Sequence, residues 1–310
     1  MIAYIIRRIL YMIPLTLGVT FITFLLFNVV GGNPAYQMLG KHASPEEVRE
    51  LTHQLGLDRP LPVQYADYLN DLLHLDFGRS WATHQKITEM ISDGIVPSLS
   101  LAVPAFVFAG ILSIIISLIA AFYRNRFYDR FLVVLCVIGM SVSILVYIIA
   151  GQYVLSYVYG LFPISGYEDG LAAVPYLILP GLIWVAVALG GDVRFYRTVI
   201  LNESGREYAV TARAKGLSEP VVMGRHVLKN ALIPIITSMA MALPGLFTGS
   251  LLLETFFGIP GLGSMSINAI NDADFPVIKA MTFFGSVLYM AANLLGDLMY
   301  SLVDPRVRME

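Results

Sequence analysis

Residues 99–123 read LSLAVPAFVFAGILSIIISLIAAFY, 25 consecutive positions without Asp, Glu, Lys or Arg. About 20 apolar residues are enough to cross a bilayer as an α-helix, because each residue advances the helix by about 1.5 Å. A soluble helix instead carries charged residues on the face that meets water. This stretch therefore predicts a helix that spans a membrane.

Five further apolar runs of similar length flank this stretch: Ile9–Val30, Phe131–Val154, Leu171–Gly190, Ala231–Phe257 and Met281–Val303. The chain is 57% hydrophobic and 14% charged, whereas soluble domains are about 45–50% apolar and about 25% charged. This composition excludes an ordinary soluble enzyme. We predict an all-α integral membrane protein with six transmembrane helices, divided into a first helix (residues 1–30), a polar helical segment outside the cytoplasm (31–98) and a five-helix core (99–310).

The distribution of basic residues predicts the orientation. Six spans place both termini on one side, and if that side is the cytoplasm, 14 of the 20 Lys and Arg residues are cytoplasmic. Basic residues concentrate in cytoplasmic loops. We therefore expect both termini in the cytoplasm, together with the loop at about 192–230, which carries seven of those fourteen residues.

The outer segment, residues 31–98, has nine acidic and five basic residues. Ser44 followed by Pro45 and Glu47 has the pattern of a capping box at a helix start. After a break around Pro60, the spacing of apolar residues predicts a second helix over Val63–Leu75. We expect a small helical cap over the outer side of the bundle.

The cytoplasmic loop contains a predicted helix, Glu203–Lys215, that ends at Gly216, and Ser218 is a suitable N-cap for another helix. Ala209, Ala212 and Ala214 lie among its charged residues, and small side chains let another surface approach closely. Read by itself, the loop is best interpreted as an ordinary amphipathic connector.

Several motifs together resemble one family. EYAVTARAKGLS at 207–218, followed by HVLKNALIP at 226–234, closely resembles the cytoplasmic signature loop of the ABC importer permeases of the dipeptide and oligopeptide group. The similarity continues, in family order, over nearly the whole chain at residues 31–35, 55–65, 75–80, 161–166, 254–263 and 304–308. Ser141–Leu145 depart from the family, which usually has a proline–aromatic pair there, and Gly190–Asp192 form an unusual end to the fourth helix.

The resemblance implies that the loop is a coupling helix that docks into a groove on an ATPase subunit. The residues that would form it are Glu207, Tyr208, Ala209, Ala212, Arg213, Ala214, Lys215, Gly216 and Ser218. The chain lacks a GxxxxGK[ST] phosphate-binding loop, so we expect no bound cofactor, with ATP and Mg²⁺ held by two separate ATPase subunits.

The same resemblance implies a multi-pass protein of the bacterial or archaeal cytoplasmic membrane and no enzymatic activity of its own. The other expected partners are a second, related permease and an extracytoplasmic solute-binding protein. Peptides are the expected cargo, and nickel complexes or oligosaccharides are alternatives within the family. The sequence gives no reason to expect nucleic acid binding.

Glu254 lies in the fifth predicted span, just before the turn Gly258–Gly263. An acid at this depth needs a cavity or a partner, and backbone that is not helical needs protein or water around it. Glu254, Gly258, Pro260, Gly261 and Gly263 are therefore candidates for a gate or pathway site. The alternative, held equally, is that Glu254 is a structural acid near the outer interface.

Other functional classes find little support. An ion-gradient-driven secondary transporter should have several membrane-embedded acids, but only Glu254 and Asp297 qualify. Asp297, with Asn293 one turn earlier, more often serves to join neighbouring helices. The five histidines lack metal-ligand spacing, Cys136 is a lone cysteine, and no nucleophile triad can be assembled, so we expect neither a metal site nor a catalytic set.

Overall fold

The structure is a computed structural model that describes residues 2–30, 35, 39, 44–54, 56–247 and 250–303, with side chains described for all of these except 2–5, 29, 30, 247 and 299–303. In chain order its helices are α1 (Ile2–Leu25), α2 (Pro45–Gln54), α3 (Leu61–Leu73), α4 (Ile87–Phe122), α5 (Phe127–Ser141), α6 (Ile144–Gly151), α7 (Val174–Ser204), α8 (Glu207–Ala214), α9 (Leu228–Phe247), α10 (Leu251–Phe257), α11 (Leu262–Asn271) and α12 (Phe275–Val303). π-Helical segments extend α1 (Leu26–Val30) and α6 (Gln152–Val158) and lead into α9 (Val222–Val227). The described residues form no β-strand beyond one isolated bridge between Arg79 and Lys86.

Five of these helices are long and apolar enough to cross a membrane, and the described residues reach six if the bent pair α5 and α6 is one span. The axes of that pair differ by 93°. The predicted continuous span Phe131–Val154 is therefore broken at Val142 and Ser143. The Ser143 hydroxyl accepts a hydrogen bond from the Leu145 N–H over 3.4 Å and so caps the new helix.

The predicted fifth span, Ala231–Phe257, is also divided. Helix α9 ends at Phe247, and α10 begins at Leu251. The following turn behaves as predicted: Gly258 ends α10 with φ of +67°, and α11 begins at Leu262. The Gly-Pro-Gly segment thus separates two short helices at one end of the bundle.

Helices α4 and α7 extend more than ten residues beyond their predicted spans. Helix α4 begins at Ile87 rather than Leu99, and α7 continues through Gly190 and Asp192 to Ser204. The prediction that α7 ends at Gly190 was wrong, because this glycine serves packing. A Cβ at Gly190 would lie 2.6 Å from the Met140 Cγ atom, so α5 can lie against α7 only if that position has no side chain.

Helices α4 and α7 form the centre of the bundle. At one end Leu101 packs with Leu179 and Phe257, and at the other end Ala121 packs with Tyr196 and other buried residues. The Ser117 hydroxyl donates to the Val193 carbonyl over 3.0 Å between the two helices. Helix α9 packs on both, α12 packs on α9, and α1 lies outermost against α12.

Helices α2 and α3 and the following loop form a cap at one end of the bundle, which we call the cap end. The predicted capping box is present: the Ser44 N–H donates to Glu47 over 2.8 Å, and the Glu47 N–H donates to the Ser44 hydroxyl over 3.2 Å. These hydrogen bonds lower the pKa of Glu47. Helix α3 begins at Leu61, two residues before the prediction, because Pro62 fits the first turn of a helix.

A buried acid joins the cap to the core. The Asp274 carboxylate, 3% exposed, accepts hydrogen bonds from the Ser80 hydroxyl (2.5 Å) and from the N–H groups of Trp81 (3.2 Å) and Ala82 (3.3 Å). Since Asp274 connects α11 to α12, the cap loop is fixed to the same region as the Gly-Pro-Gly turn.

The opposite end, which carries α8, we call the loop end. There the Arg197 guanidinium of α7 donates to both carboxylate oxygens of Asp129 over 2.6 and 2.7 Å, and the Asn125 N–H donates to the same carboxylate over 2.8 Å. Asp129 is buried. This bidentate ion pair joins the first turn of α5 to α7, and the Asn125 N–H attaches the preceding turn to the same carboxylate.

Asp297 also joins helices, as its sequence context favoured. The Arg8 side chain of α1 donates a hydrogen bond to Asp297 of α12, whereas the amide of Asn293 donates to the Tyr289 carbonyl of its own helix over 3.0 Å. Asp192, on α7, is partly buried. Residues 31–34 and 304–308, which carry two of the family-like motifs, lie outside the described residues.

Candidate functional site

Helix α8 is the centre of the first candidate site. Two of its alanines face inward: Ala209 is 0% and Ala212 6% exposed, and both pack with Tyr196, Val222 and Val227. Their small side chains thus allow α8 to approach its own chain closely. The expectation that Ala209 and Ala212 offer surface to a partner was wrong, and of the three alanines only Ala214 is exposed.

The opposite face of α8 is open to solvent. Glu207, Val210, Thr211 and Ala214 are all exposed and lie at i, i+3, i+4 and i+7, which places them along one side of the helix. The exposed segment Lys215–Ser218 follows directly. We call residues 207, 210, 211 and 214–218 the loop-end face. It includes two aliphatic side chains, Val210 and Leu217, that are 55% and 41% exposed.

Arg213 holds the loop-end face in place through hydrogen bonds to Glu219 and Ser204 of the same chain. Its guanidinium donates to both carboxylate oxygens of Glu219 (2.9 and 2.8 Å) and to the carbonyl and hydroxyl of Ser204 (both 2.9 Å). Arg213 therefore links the end of α7 to the segment that leads into α9. Paired guanidinium–carboxylate hydrogen bonds are strong and directional, so α8 is held rigidly between its neighbours.

Tyr208 makes a second internal link, since its hydroxyl donates to Glu203 over 2.7 Å. Burial, followed by this hydrogen bond, raises the pKa of Tyr208 to about 12. The phenol therefore stays protonated and remains a donor at neutral pH. Glu203 itself belongs to α7, because the chain turns at Gly205 and interrupts the predicted helix Glu203–Lys215.

Gly216 and Ser218 end the loop as the sequence predicted, with one difference. Gly216 has φ of +81°, a conformation that suits glycine, and a Cβ there would meet no atom within 4 Å. Ser218 occupies the N-cap position of the following turn, but its side chain makes no capping hydrogen bond.

Glu254 is the centre of the second candidate site, at the cap end. Its side chain is completely buried. One carboxylate oxygen accepts hydrogen bonds from the Ser98 hydroxyl (3.0 Å) and the Ser250 N–H (2.9 Å), and the other from the N–H groups of Gly263 (2.7 Å) and Ser264 (3.2 Å). One acid therefore joins α4, the start of α10 and the N-terminus of α11, where the helix dipole favours negative charge.

The glycines of the turn make room for this carboxylate. A Cβ at Gly261 would lie 2.3 Å from the Glu254 Oε2 atom, and a Cβ at Gly263 would lie 2.9 Å from the same atom. Gly258 adopts positive φ, and the preceding carbonyl, that of Phe257, accepts the Gly166 N–H over 2.8 Å. The turn is thus packed against the loop that precedes α7.

Four groups of the described residues donate hydrogen bonds to the buried Glu254 carboxylate, so this acid helps to order the turn. Pro260 lies in the turn itself and is exposed. We found no group of three His, Cys, Asp or Glu side chains that could hold a metal ion among the residues that the structure describes.

Sequence reasoning missed several residues that position these sites. Ser98 and Ser264 both hydrogen-bond within the Glu254 network, and a serine in an apolar run gives little sign of such a role. Asp129, Arg197 and Asp274 carried a better signal, since each is a charged residue at the edge of an apolar segment.

Known proteins resemble the chain over its whole length. The family model described as "Binding-protein-dependent transport system inner membrane component" matches residues 113–309, and the corresponding N-terminal model matches residues 1–102. A Brucella abortus protein that is named as a peptide transport system permease is 35% identical over 99% of both chains. A dipeptide transport system permease of Alkalihalophilus pseudofirmus is 32% identical over 99% of this chain and 100% of its own.

A glutathione transport system permease of Salmonella typhimurium is also 32% identical, over 99% of both chains. This family consists of multi-pass inner membrane proteins that work with an ATPase and a solute-binding protein, and the apolar helices of the structure agree with it. The ordered motifs, the helical bundle and these full-length matches agree: the chain belongs to the ABC importer permeases of the dipeptide and oligopeptide family.

Proposed function

We propose that this permease forms half of a translocation pathway for dipeptides or oligopeptides. The observation that carries the proposal is the full-length similarity to relatives named for peptide, dipeptide and glutathione transport. Glutathione is itself a short peptide, so the three names share one chemical class. Nickel complexes and oligosaccharides remain the rival cargoes that the experiment must exclude.

The proposed orientation places the loop end and both termini in the cytoplasm and the cap outside. Two features support it. The basic residues Arg194, Arg197, Arg206, Arg213 and Lys215 gather at the loop end, as the positive-inside rule requires. The acidic excess of residues 31–98 belongs to the opposite end, where this rule makes no demand for positive charge.

In this orientation the loop-end face is the docking surface for the ATPase. Its exposed Val210 and Leu217 give it apolar area that the chain leaves uncovered, and Arg213 gives it a rigid base. A rigid helix can transmit a movement of the ATPase to α7 and α9, to which it is attached. ATP and Mg²⁺ then act only on the ATPase subunits, and this chain catalyses no reaction.

The Gly258–Gly263 turn is the proposed gate at the cap end, where this chain would meet a second, related permease. A heterodimer suits a family that pairs distinct permeases, and the cap would form part of the surface that receives the solute-binding protein. Glu254 would act as a positioning residue that keeps the turn in its closed shape until ATP brings the ATPase subunits together.

Transport by the purified importer in liposomes tests the proposal. We expect uptake of a radiolabelled dipeptide that requires ATP, the solute-binding protein and this chain. Uptake of nickel or an oligosaccharide in place of the dipeptide would overturn the proposed cargo. Uptake driven by an ion gradient without ATP would overturn the mechanism.

A further inference from the structure

A cavity of about 540 Å³ lies between the cap and the outer ends of α1 and α12. Its size is within the range of about 300–1,000 Å³ that is usual for small-molecule sites. It shares no lining residue with the Glu254 network or with the loop-end face. Its lining includes three acids and three bases: Asp67, Asp71, Asp76, Arg59, Arg79 and Lys279.

Lys279 gives the cavity a positive charge without a matching acid. Its ammonium group donates to the Asn28 side-chain oxygen and lies 5.8 Å from the centre of the Tyr68 ring. Within the described residues no ion pair at 4.0 Å or less includes Lys279. The undescribed positions between 31 and 43 contain no Asp or Glu. A partly buried ammonium without a counter-charge favours an anionic ligand.

Tyr68 adds a second donor at the same wall of the cavity. Its hydroxyl oxygen is buried and has no hydrogen-bond partner among the described residues. Buried hydroxyl groups are normally hydrogen-bonded. A carboxylate beside Lys279 could accept from this hydroxyl as well, which would satisfy both groups at once.

The acids of the cavity supply the opposite charge. Asp67 pairs with Arg59 over 3.2 Å, and Asp76 accepts the Gly78 N–H over 3.0 Å. The Asp71 carboxylate has no such partner among the described residues. Burial, and then the neighbouring Asp76 and Asp67, raise the pKa of Asp71. A cationic group placed beside these carboxylates would relieve their repulsion.

We propose that this cavity binds a small zwitterion, with its anionic group at Lys279 and Tyr68 and its ammonium group at Asp71 and Asp76. A free short peptide has this chemistry, and so has the headgroup of phosphatidylethanolamine. The inference rests on the proposed function only in the choice of a dipeptide as the probe. Phe77 and Trp81, which also line the cavity, would contact an apolar side chain of that ligand.

Calorimetric titration of the intact importer, without solute-binding protein and without ATP, tests this site. The complex is placed in nanodiscs of phosphatidylglycerol, whose headgroup has no ammonium. The probes are Ala-Phe, its N-acetyl derivative and its C-terminal amide. We expect Ala-Phe to bind about tenfold more tightly than either blocked peptide, because each of those lacks one charge.

Two variants test separately how the anionic end and the ammonium end of the ligand are bound. Lys279→Met should weaken binding of Ala-Phe and of the N-acetyl peptide by about tenfold and leave the amide unchanged. Asp71→Asn should weaken Ala-Phe and the amide and leave the N-acetyl peptide unchanged. The unchanged peptide shows in each case that the variant is folded. Asp58→Asn, in the same cap but outside the cavity, should behave as wild type.

Nanodiscs that contain phosphatidylethanolamine distinguish the two sources of a zwitterion, a free short peptide and the lipid headgroup. Weaker apparent binding of Ala-Phe in them would identify the lipid headgroup as a competing occupant of the same site. Equal binding of all three peptides in phosphatidylglycerol, or no binding of Ala-Phe, would overturn the inference. If ATP-dependent dipeptide uptake nevertheless continues in liposomes, the proposed function stands and only this site is lost.

Discussion

The main-chain N–H of Gly263 donates to the Glu254 carboxylate over 2.7 Å, although the two residues are nine positions apart in the chain. The hydrogen bond closes the Gly-Pro-Gly segment into a loop whose two ends are held by one acid. Ser98 of α4 donates to the same carboxylate over 3.0 Å, so the loop is also fixed to the central helix of the bundle.

Glu254→Gln should loosen this loop while keeping the shape of the side chain. One carboxylate oxygen becomes an NH₂ group, which cannot accept hydrogen bonds from the donors that surround it. The loss costs about 1–3 kcal/mol. If the loop is a gate, basal ATPase activity of the complex should rise severalfold and stimulation by the solute-binding protein should weaken. Glu89→Gln, at an exposed acid of α4, is the matched control. Normal assembly with wild-type rates would mean that Glu254 is only structural.

Gly216→Val should disable coupling. Gly216 has φ of +81°, where a residue with a Cβ is strained by about 1–2 kcal/mol and a β-branched one more. Because the space around it is open, the effect comes from the backbone alone. Gly205→Val is the control, since Gly205 lies in the same loop with φ of −86°. We expect the complex of Gly216→Val to lose ATPase subunits on purification while Gly205→Val keeps them. Equal recovery of ATPase by both variants contradicts this role.

Removing one partner of the Asp129–Arg197 pair should destabilise the loop end. Asp129→Asn leaves the Arg197 guanidinium, 21% exposed, without its counter-charge, and breaking such a pair costs on the order of 3 kcal/mol. The double variant Asp129→Leu with Arg197→Met should lose less stability than the sum of the losses of Asp129→Leu alone and Arg197→Met alone. Thermal unfolding in detergent measures all of them. Additive losses would show that the pair is not coupled.

Labelling of single cysteines tests the orientation. In a Cys136→Ser background, cysteine at Ala66 should react with an impermeant thiol reagent in intact spheroplasts, because Ala66 is exposed on the cap. Cysteine at Arg126, exposed at the loop end but outside the loop-end face, should react only after the membrane is opened. The reverse pattern would invert the proposed topology.

The long apolar segments predicted much of the fold. Hydrophobicity decides whether a helix enters a membrane, so α1, α4, α7 and α12 follow from composition. The capping box at Ser44 and the glycine turns at 216 and 258 followed equally well, because their backbone requirements are local. Hydropathy does not show where a helix axis changes direction, however, and the 93° bend at Val142 and Ser143 was therefore missed.

The candidate sites, like the fold, were only partly predictable from the sequence. The loop 207–218 and Glu254 were recognisable from motif and charge. The orientation of Ala209 and Ala212 was not, because a small residue suits both an internal helix contact and an external interface. The partners of Glu254 were also hidden, since Ser98 lies 156 residues away in the chain.

Site-directed crosslinking tests most directly whether the loop-end face docks on the ATPase subunit. In a Cys136→Ser background, Val210→Cys carries a photoactivatable thiol crosslinker, and Arg126→Cys, exposed in the neighbouring turn at the same end, is the control. We predict a crosslink from position 210 to the ATPase subunit that changes in yield when ATP is added, and a much weaker one from position 126. No crosslink from position 210, in a complex that contains the ATPase and transports, would contradict it.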